Sequence, residues 1–253
     1  MSNIAVIGLG EAGSTYAVAL ASAGHHVCGI DPAPVPTPVG VERVETIVGL
    51  PLDYVLVVTS ARVAEVLSET VLPSLAGDIV WIDMTTASPM QKAKVAERDD
   101  VHRHVDVAIL GPVISLGIAT PLMAAGAQAR AVVSLLSSAG APIESVPAGS
   151  PGDAMSHKLL RSVFMKGIAA VVIEAVTAGT AAGRESWVRE QIAGVLAGDG
   201  QAVIDRFVTG TRKHAVRRAD EMASVIDYLG ELGAPSELSL GTRAQLSRLS
   251  SER

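Results

Sequence analysis

Six residues near the start of the chain, Gly8-Leu9-Gly10-Glu11-Ala12-Gly13, limit the possible fold more than any other stretch. They follow the apolar run Asn3–Ile7 and open a helical pattern over Ala12–Ala23, so the glycines fall between a strand and a helix. In that setting the first glycine permits a tight turn and the second lets a ligand approach the backbone. The third lets helix and strand pack closely, and the free amides of the helix N-terminus attract phosphate. With a second strand at Val27–Ile30, the whole reads as a βαβ unit that cradles the pyrophosphate of a dinucleotide.

The pattern continues through strands at Tyr54–Val58, Ile79–Asp83 and Val105–Ile109, with further ones near Pro121–Ala124 and Ile143–Val146. Helices are expected between them at Arg62–Leu72, Pro89–Arg98 and Ala127–Ala139. Residues 1–150 therefore read as an α/β Rossmann domain, a doubly wound and mostly parallel sheet. The proline-rich segment Pro32 to Pro38 is expected to be an irregular loop, because repeated prolines remove amide donors and fix φ. A turn-rich hinge, PAGSPGD, follows Val146, with Asp153 as the expected N-cap of what comes next. Residues 151–253 read as an all-α domain with helices at Ala154–Ala182, Ser186–Ala197, Ala202–Leu232 (open to a break near Gly210) and Ser236–Leu249. The apolar stretch from Gly167 to Ala182 is interrupted by Glu174 and bounded by Lys166 and Arg184, which fits a buried helix better than a membrane span.

A net charge of −6 and the absence of a basic run argue against nucleic acid or an anionic membrane as the partner, leaving a small molecule. The one cysteine, Cys28, cannot form a disulfide within the chain, and a reducing, cytoplasmic compartment is expected. The first residues lack the basic flank and cleavage site of a signal peptide and read as the first strand.

Asp31 ends the second strand, where a carboxylate can accept hydrogen bonds from an adenosine ribose and repel a 2′-phosphate. With no Lys or Arg between Asp31 and Arg43, NAD is expected in preference to NADP, though NADP stays open. The other assignment for Asp31 is a cap on the turn before Pro32. Thr59-Ser60 and Thr85-Thr86 follow later strands at the carboxyl edge of the sheet, where their hydroxyls can meet ribose or nicotinamide, and Thr85 is the stronger candidate. Ser60 and Ser88-Pro89 also fit helix caps. The expected cofactor contacts are thus Gly8, Leu9, Gly10, Glu11, Ala12, Gly13, Asp31, Thr59, Ser60 and Thr85.

In the second domain Lys158 stands near the start of the apolar helix MSHKLLRSVFMKGIAAVVIEAV, with Ser162 one turn on. A partly desolvated lysine can act as proton donor. Periodicity alone leaves a surface lysine equally open. Within Arg212–Arg218, the residues His214, Arg217 and Arg218 are expected within one turn of a helix, able to hold a carboxylate or phosphate. The alternative there is a solvated face with Arg217 paired to Glu221. His157 neighbours Lys158, and His25, His26, His102 and His104 lack metal-ligand spacing, so no metal site is expected.

The segments IAVIGLGEAG, WIDMTTASP, HVDVAILGPV and TPLMAAG, together with the Lys158 helix, resemble the β-hydroxyacid dehydrogenase superfamily. That superfamily includes 3-hydroxyisobutyrate and 6-phosphogluconate dehydrogenases and is similar in architecture to imine reductases. KLLRSVFMKGIAAVVIEAV and RKHAVRRADEM look like a branch with a phosphogluconate-dehydrogenase-like C-terminal domain of unknown function. The resemblance implies hydride transfer between nicotinamide and a small hydroxy acid or carbonyl compound, with Lys158 as general acid/base. It also implies a substrate loop at Leu110, Gly111 and Pro112, further substrate contacts at Arg161, Ser162 and His214, and a homodimer through the C-terminal helices. Leu110 stands where better-known members have a substrate-binding serine, and Arg161-Ser162 where they have an asparagine. Two other readings stay open: an imine reductase, and a dinucleotide-binding sensor without catalysis.

Overall fold

The computed structural model describes residues 1–252 and divides into two compact units, Met1–Arg161 and the chain from Ser162 onward. The first unit holds β1 (Asn3–Ile7), β2 (His26–Ile30), β3 (Val41–Arg43), β4 (Tyr54–Val57), β5 (Val80–Asp83), β6 (His104–Ile109), β7 (Leu122–Ala125) and β8 (Ile143–Ser145) in one sheet. The order is β3-β2-β1-β4-β5-β6-β7-β8, and every neighbouring pair is parallel except β6 and β7. Because β1 pairs with both β2 and β4, the strand order reverses there, and a crevice opens beyond the carboxyl ends of β1 and β4.

Alternation along the strands sends side chains to two faces. Ile4, Val6, Leu56, Ile82 and Val107 pack with Tyr16 and Leu20 of α1 (Glu11–Ser22) and with Val132 and Leu136 of α5 (Ala129–Ser138). Their neighbours Ala5, Ile7, Val55, Val57 and Trp81 face Ala64 and Leu67 of α2 (Ala61–Thr70) and the turn carrying Leu72 and Leu75. The remaining helices of this unit are α3 (Pro89–Glu97) and the short α4 (Val113–Leu116). Ser88 and Gln91 form the capping box of α3, with Pro89 in its first turn.

The proline-rich segment is irregular as expected, but it ends in β3, whose three residues are too short to show an alternation in sequence. The long helix α6 (Asp153–Ala181) is not capped by Asp153. Ser156 donates to the Gly152 carbonyl at 2.9 Å, so Gly152 is the N-cap and Asp153 the first helical residue, its carboxylate accepting from the Ser150 amide.

The second unit adds α7 (Glu185–Leu196), α8 (Gly200–Lys213), α9 (Ala215–Glu231) and α10 (Glu237–Ser251). The expected break near Gly210 falls instead at His214, and Gly210 lies inside α8. Glu174 of α6 caps α10, accepting from the Leu238 and Ser239 amides at 2.7 and 2.8 Å and from the Ser239 hydroxyl at 2.7 Å. Gly179 lets α6 meet α7: a Cβ there would lie 2.8 Å from a Val188 methyl. The Gly167–Ala182 stretch is not buried as expected. Val171 and Ile173 are exposed, as are Leu160, Val163 and Phe164 just before it, and the buried hydrophobic residues of this unit, among those described, are Ala215, Leu229 and Leu246. No helix of the described residues is long and apolar enough to cross a membrane.

Candidate functional site

The glycine loop is fixed by close backbone approaches. Gly8 has φ +96°, and a Cβ on it would sit 2.4 Å from the Val58 carbonyl oxygen; a Cβ on Gly13 would sit 1.8 Å from the Gly8 oxygen. Gly10 differs, since a Cβ there would meet nothing within 4 Å. As the N-cap of α1 it offers no side chain, so the first turn of that helix opens onto free space at its positive end. Leu9 is buried against Gly29 and leaves only its backbone to the loop, while Glu11 is exposed and Ala12 half-buried.

Asp31 caps the turn before Pro32, and it also lines a cavity beside the glycine loop. One carboxylate oxygen accepts the Leu9 amide at 2.8 Å and the other the Ala33 amide at 2.9 Å, while the residue lines a cavity of about 620 Å³ with Gly8, Gly10, Ile30, Ile47 and Val63. Apolar walls beside a carboxylate and a glycine loop suit an adenosine. Glu45 lines the same cavity and adds a second acid. Short β3 brings in a cation that sequence spacing placed out of reach: Arg43 pairs in register with Gly29, and its guanidinium donates to the Asp31, Ala33 and Val35 carbonyls at 2.5, 2.9 and 2.7 Å. Those bonds commit three of its five donors to the loop backbone. Thr59 and Ser60 also line the cavity, and Ser60 caps α2 through the Val63 amide.

Of the next pair, Thr85 is buried, at 2% exposure, with its hydroxyl turned to the Ala87 amide at 3.4 Å; Thr86 is the exposed member. Below this turn lies a charged cluster that the sequence reading missed. Asp83 of β5 and Asp106 of β6 are register partners, and Lys92 of α3, 3% exposed, reaches both. Its ammonium is 2.7 Å from Asp106 Oδ1, 3.3 Å from Asp83 Oδ1 and 2.9 Å from the Asp83 carbonyl oxygen. Asp106 Oδ2 accepts the Gly152 and Met155 amides at 3.1 and 2.9 Å, capping α6 from the sheet. A signal was available, because each aspartate interrupts an otherwise apolar strand and a buried charge needs a partner.

Lys158, half-buried, lies on the second turn of α6, and His157 beside it is exposed. Leu110 packs partly against the Ala108, Ala125 and Ala154 cluster, which turns it toward the start of α6; Gly111 is half-buried and Pro112 exposed. Arg161 is exposed at the end of the first unit, whereas half-buried Ser162 and exposed His214 belong to the second. His214 is not on a helix with Arg217 and Arg218 as expected but at the junction of α8 and α9, with φ −119°. Arg217 pairs with Glu221, and Arg218 donates to Thr211 at 2.7 Å, so these two arginines have partners on their own surface. Among the described residues, no group of His, Cys, Asp and Glu is arranged to hold a metal ion.

A strand-order reversal, an uncapped helix end at an open glycine and an acid at the end of β2 define a Rossmann-type dinucleotide-binding protein. Residues 3–146 match the NAD binding domain of 6-phosphogluconate dehydrogenase, and the chain belongs to that family. Residues 180–249 match a domain of unknown function, DUF1932. An uncharacterized 28.5 kDa protein in the 7S RNA 5′ region of Methanothermus fervidus is 26% identical over 153 residues, which make up 59% of this chain and 58% of that relative, under two thirds of its length. A solved conserved protein of unknown function, described as similar to 3-hydroxyacid dehydrogenases, is 25% identical, with TM-score 0.64 over 98% of this chain and 97% of its own. An imine reductase from Myxococcus stipitatus, solved with NAD+, shares the fold at 18% identity, with TM-score 0.80 over 99% and 94% of the two chains.

Proposed function

We propose that this chain is an NAD-preferring oxidoreductase of the β-hydroxyacid dehydrogenase type, acting on a small hydroxy acid or carbonyl compound. The observation that carries the reading is the cavity beside the glycine loop, lined by Gly8, Gly10, Asp31 and Glu45 among apolar side chains, whose two acids would disfavour a 2′-phosphate. Gly8, Gly10 and the first turn of α1 would hold the pyrophosphate, and Thr59 and Thr86 would lie along the path toward the nicotinamide end, with Thr85 holding the turn from beneath. A bound nicotinamide supplies or accepts the hydride. Lys158 then gives a proton to, or takes one from, the substrate heteroatom, and its place on a largely apolar helix supports that assignment. Leu110, Gly111, Pro112 and Arg161, all of the first unit, are assigned to the substrate. Leu110 presents an apolar side chain where a serine would offer a hydroxyl. This favours a less polar acceptor, and with the imine reductase fold match it makes imine reduction the second reading.

Two copies of the chain are proposed to pair through the C-terminal helices. Leu160, Val163, Phe164 and Val171 share one face of α6 and are 71, 75, 63 and 51% exposed, an apolar stripe that a second copy of the same helices would cover. Light scattering after size exclusion is expected to give twice the 26.0 kDa chain mass, and Phe164→Glu to return it to one.

The test of the activity is fluorescence titration with NADH and NADPH, followed by panels of hydroxy acids, ketones, aldehydes and ketone–amine mixtures. Saturable NADH binding with turnover supports the proposal and names the substrate class. Tight binding without turnover would favour a sensor, and absence of binding would overturn both.

A further inference from the structure

Register neighbours on adjacent parallel strands point to the same face of a sheet, so Asp83 and Asp106 stand side by side beneath the carboxyl edge. Two carboxylates in that position, Asp106 buried and Asp83 partly so, repel, and one ammonium, that of Lys92, lies against both. The rest of their hydrogen bonding leads outward in two directions. Asp83 Oδ1 accepts the Thr85 amide at 2.8 Å, fixing the turn after β5, while Asp106 Oδ2 accepts the two amides that open α6. Two carboxylates and one ammonium leave a net negative charge facing a helix N-terminus, where the backbone dipoles stabilise it. A steric contact sets the same register: Gly152 has φ +104°, and a Cβ on it would lie 2.5 Å from the Pro89 carbonyl oxygen, in the first turn of the helix that bears Lys92.

We infer that Lys92 is a positioning residue, a buried cation that holds the Thr85-Thr86 turn and the Lys158 helix in one fixed relation through Asp83 and Asp106. The geometry supports positioning above added stability, because a buried ion cluster gains little over apolar packing yet has few arrangements that satisfy every member. Met155, whose amide Asp106 holds, is three residues before Lys158, so a shift at the cap is carried directly along the helix to that side chain. The inference rests on the proposed role of Lys158, but the anchor itself can be tested without turnover.

The experiment compares Lys92→Met and Asp106→Asn with the unaltered protein by amide hydrogen exchange and by NMR of ¹³C-methylated lysines, the Lys158 signal being assigned through its loss in Lys158→Arg. Titration with NADH accompanies both. Exchange at Gly152, Met155 and Thr85 is expected to rise by about tenfold or more while the β1 and β4 amides stay unchanged, a local opening and not a global one. The Lys158 methyl signal is expected to move, with NADH affinity within about threefold, because neither Lys92 nor the two aspartates line the cavity beside the glycine loop. Lys92→Met leaves two carboxylates without their cation; should it fail to fold, Asp106→Asn keeps the shape and carries the test alone. An unmoved Lys158 signal with unchanged exchange at Gly152 and Met155 would overturn the inference, as would equal acceleration of every core amide. Retained turnover in Lys158→Met would instead remove the proposed catalytic role while an altered cap in the Lys92 variant still established the anchor.

Discussion

The Asp31 carboxylate accepts the Leu9 amide at 2.8 Å, so the acid that ends β2 also holds the glycine loop. Asp31→Asn can keep that bond through its carbonyl oxygen while losing the charge. NADH affinity is expected to fall about tenfold, from the loss of a charge-assisted bond to ribose, and discrimination against NADPH to relax. Fluorescence titration of both cofactors checks this, and unchanged selectivity would pass the role to Glu45. Arg43 has three of its five N–H donors held by loop carbonyls, which leaves it poorly placed to grip a 2′-phosphate in a bidentate way.

Tyr16 is fully buried in α1, its hydroxyl has no partner among the described residues, and burial pushes its ionisation up to about 12. Removing an unsatisfied hydroxyl while keeping the ring should stabilise the fold. Tyr16→Phe is expected to gain about 1 kcal/mol, raising the melting temperature by about 2–4 °C in a chain of this size. A lower melting temperature would mean that the hydroxyl has a water partner.

Glu174 joins α6 to the start of α10. Burial alone would raise its ionisation, but the Ser239 hydroxyl and the Leu238 and Ser239 amides outweigh that and hold the carboxyl below its usual range. A depressed carboxyl stabilises the fold above its unfolded value near 4.3, and this is lost as pH falls through the lower folded value. Glu174→Ala is expected to cost about 1–2 kcal/mol at neutral pH, seen in denaturant unfolding, with the difference shrinking in acid.

His104 is buried at the start of β6, and that burial lowers its ionisation below 6.5 despite Asp99 at 3.0 Å, whose pull is in the opposite direction. Between the lowered folded value and 6.5 the unfolded chain binds a proton that the folded chain does not, so stability declines as pH falls through that window. His104→Gln should flatten this decline in melts recorded from pH 7.5 to about 5.

The βαβ half was legible because its signals are local. A glycine loop between a strand and a helix, and strands bounded by turns, need no knowledge of distant contacts. Arg43 and Lys92 were not legible, since their roles arise only when β3 pairs with β2 and β5 with β6, and register is a long-range property. Gly210 looked like the break on propensity, yet the chain turns at His214, where α8 closes through the Gly210 and Thr211 carbonyls. The α6 stripe looked buried because composition reports hydrophobicity and says nothing of what covers it. Thr85 is the stronger candidate in sequence, and only the turn held by Asp83 shows that it points inward and leaves Thr86 as the exposed member.

The three glycines of the loop are not interchangeable as experimental probes. A methyl on Gly13 would strike the Gly8 carbonyl at 1.8 Å, so a side chain at that position breaks the turn whether or not any nucleotide is nearby, and an inactive Gly13 variant reports a damaged scaffold. Gly10 has empty space around it, so Gly10→Ala is tolerated by the apo-protein and obstructs only what comes to lie on the loop. Loss of binding there, with an unchanged melting temperature, locates the ligand.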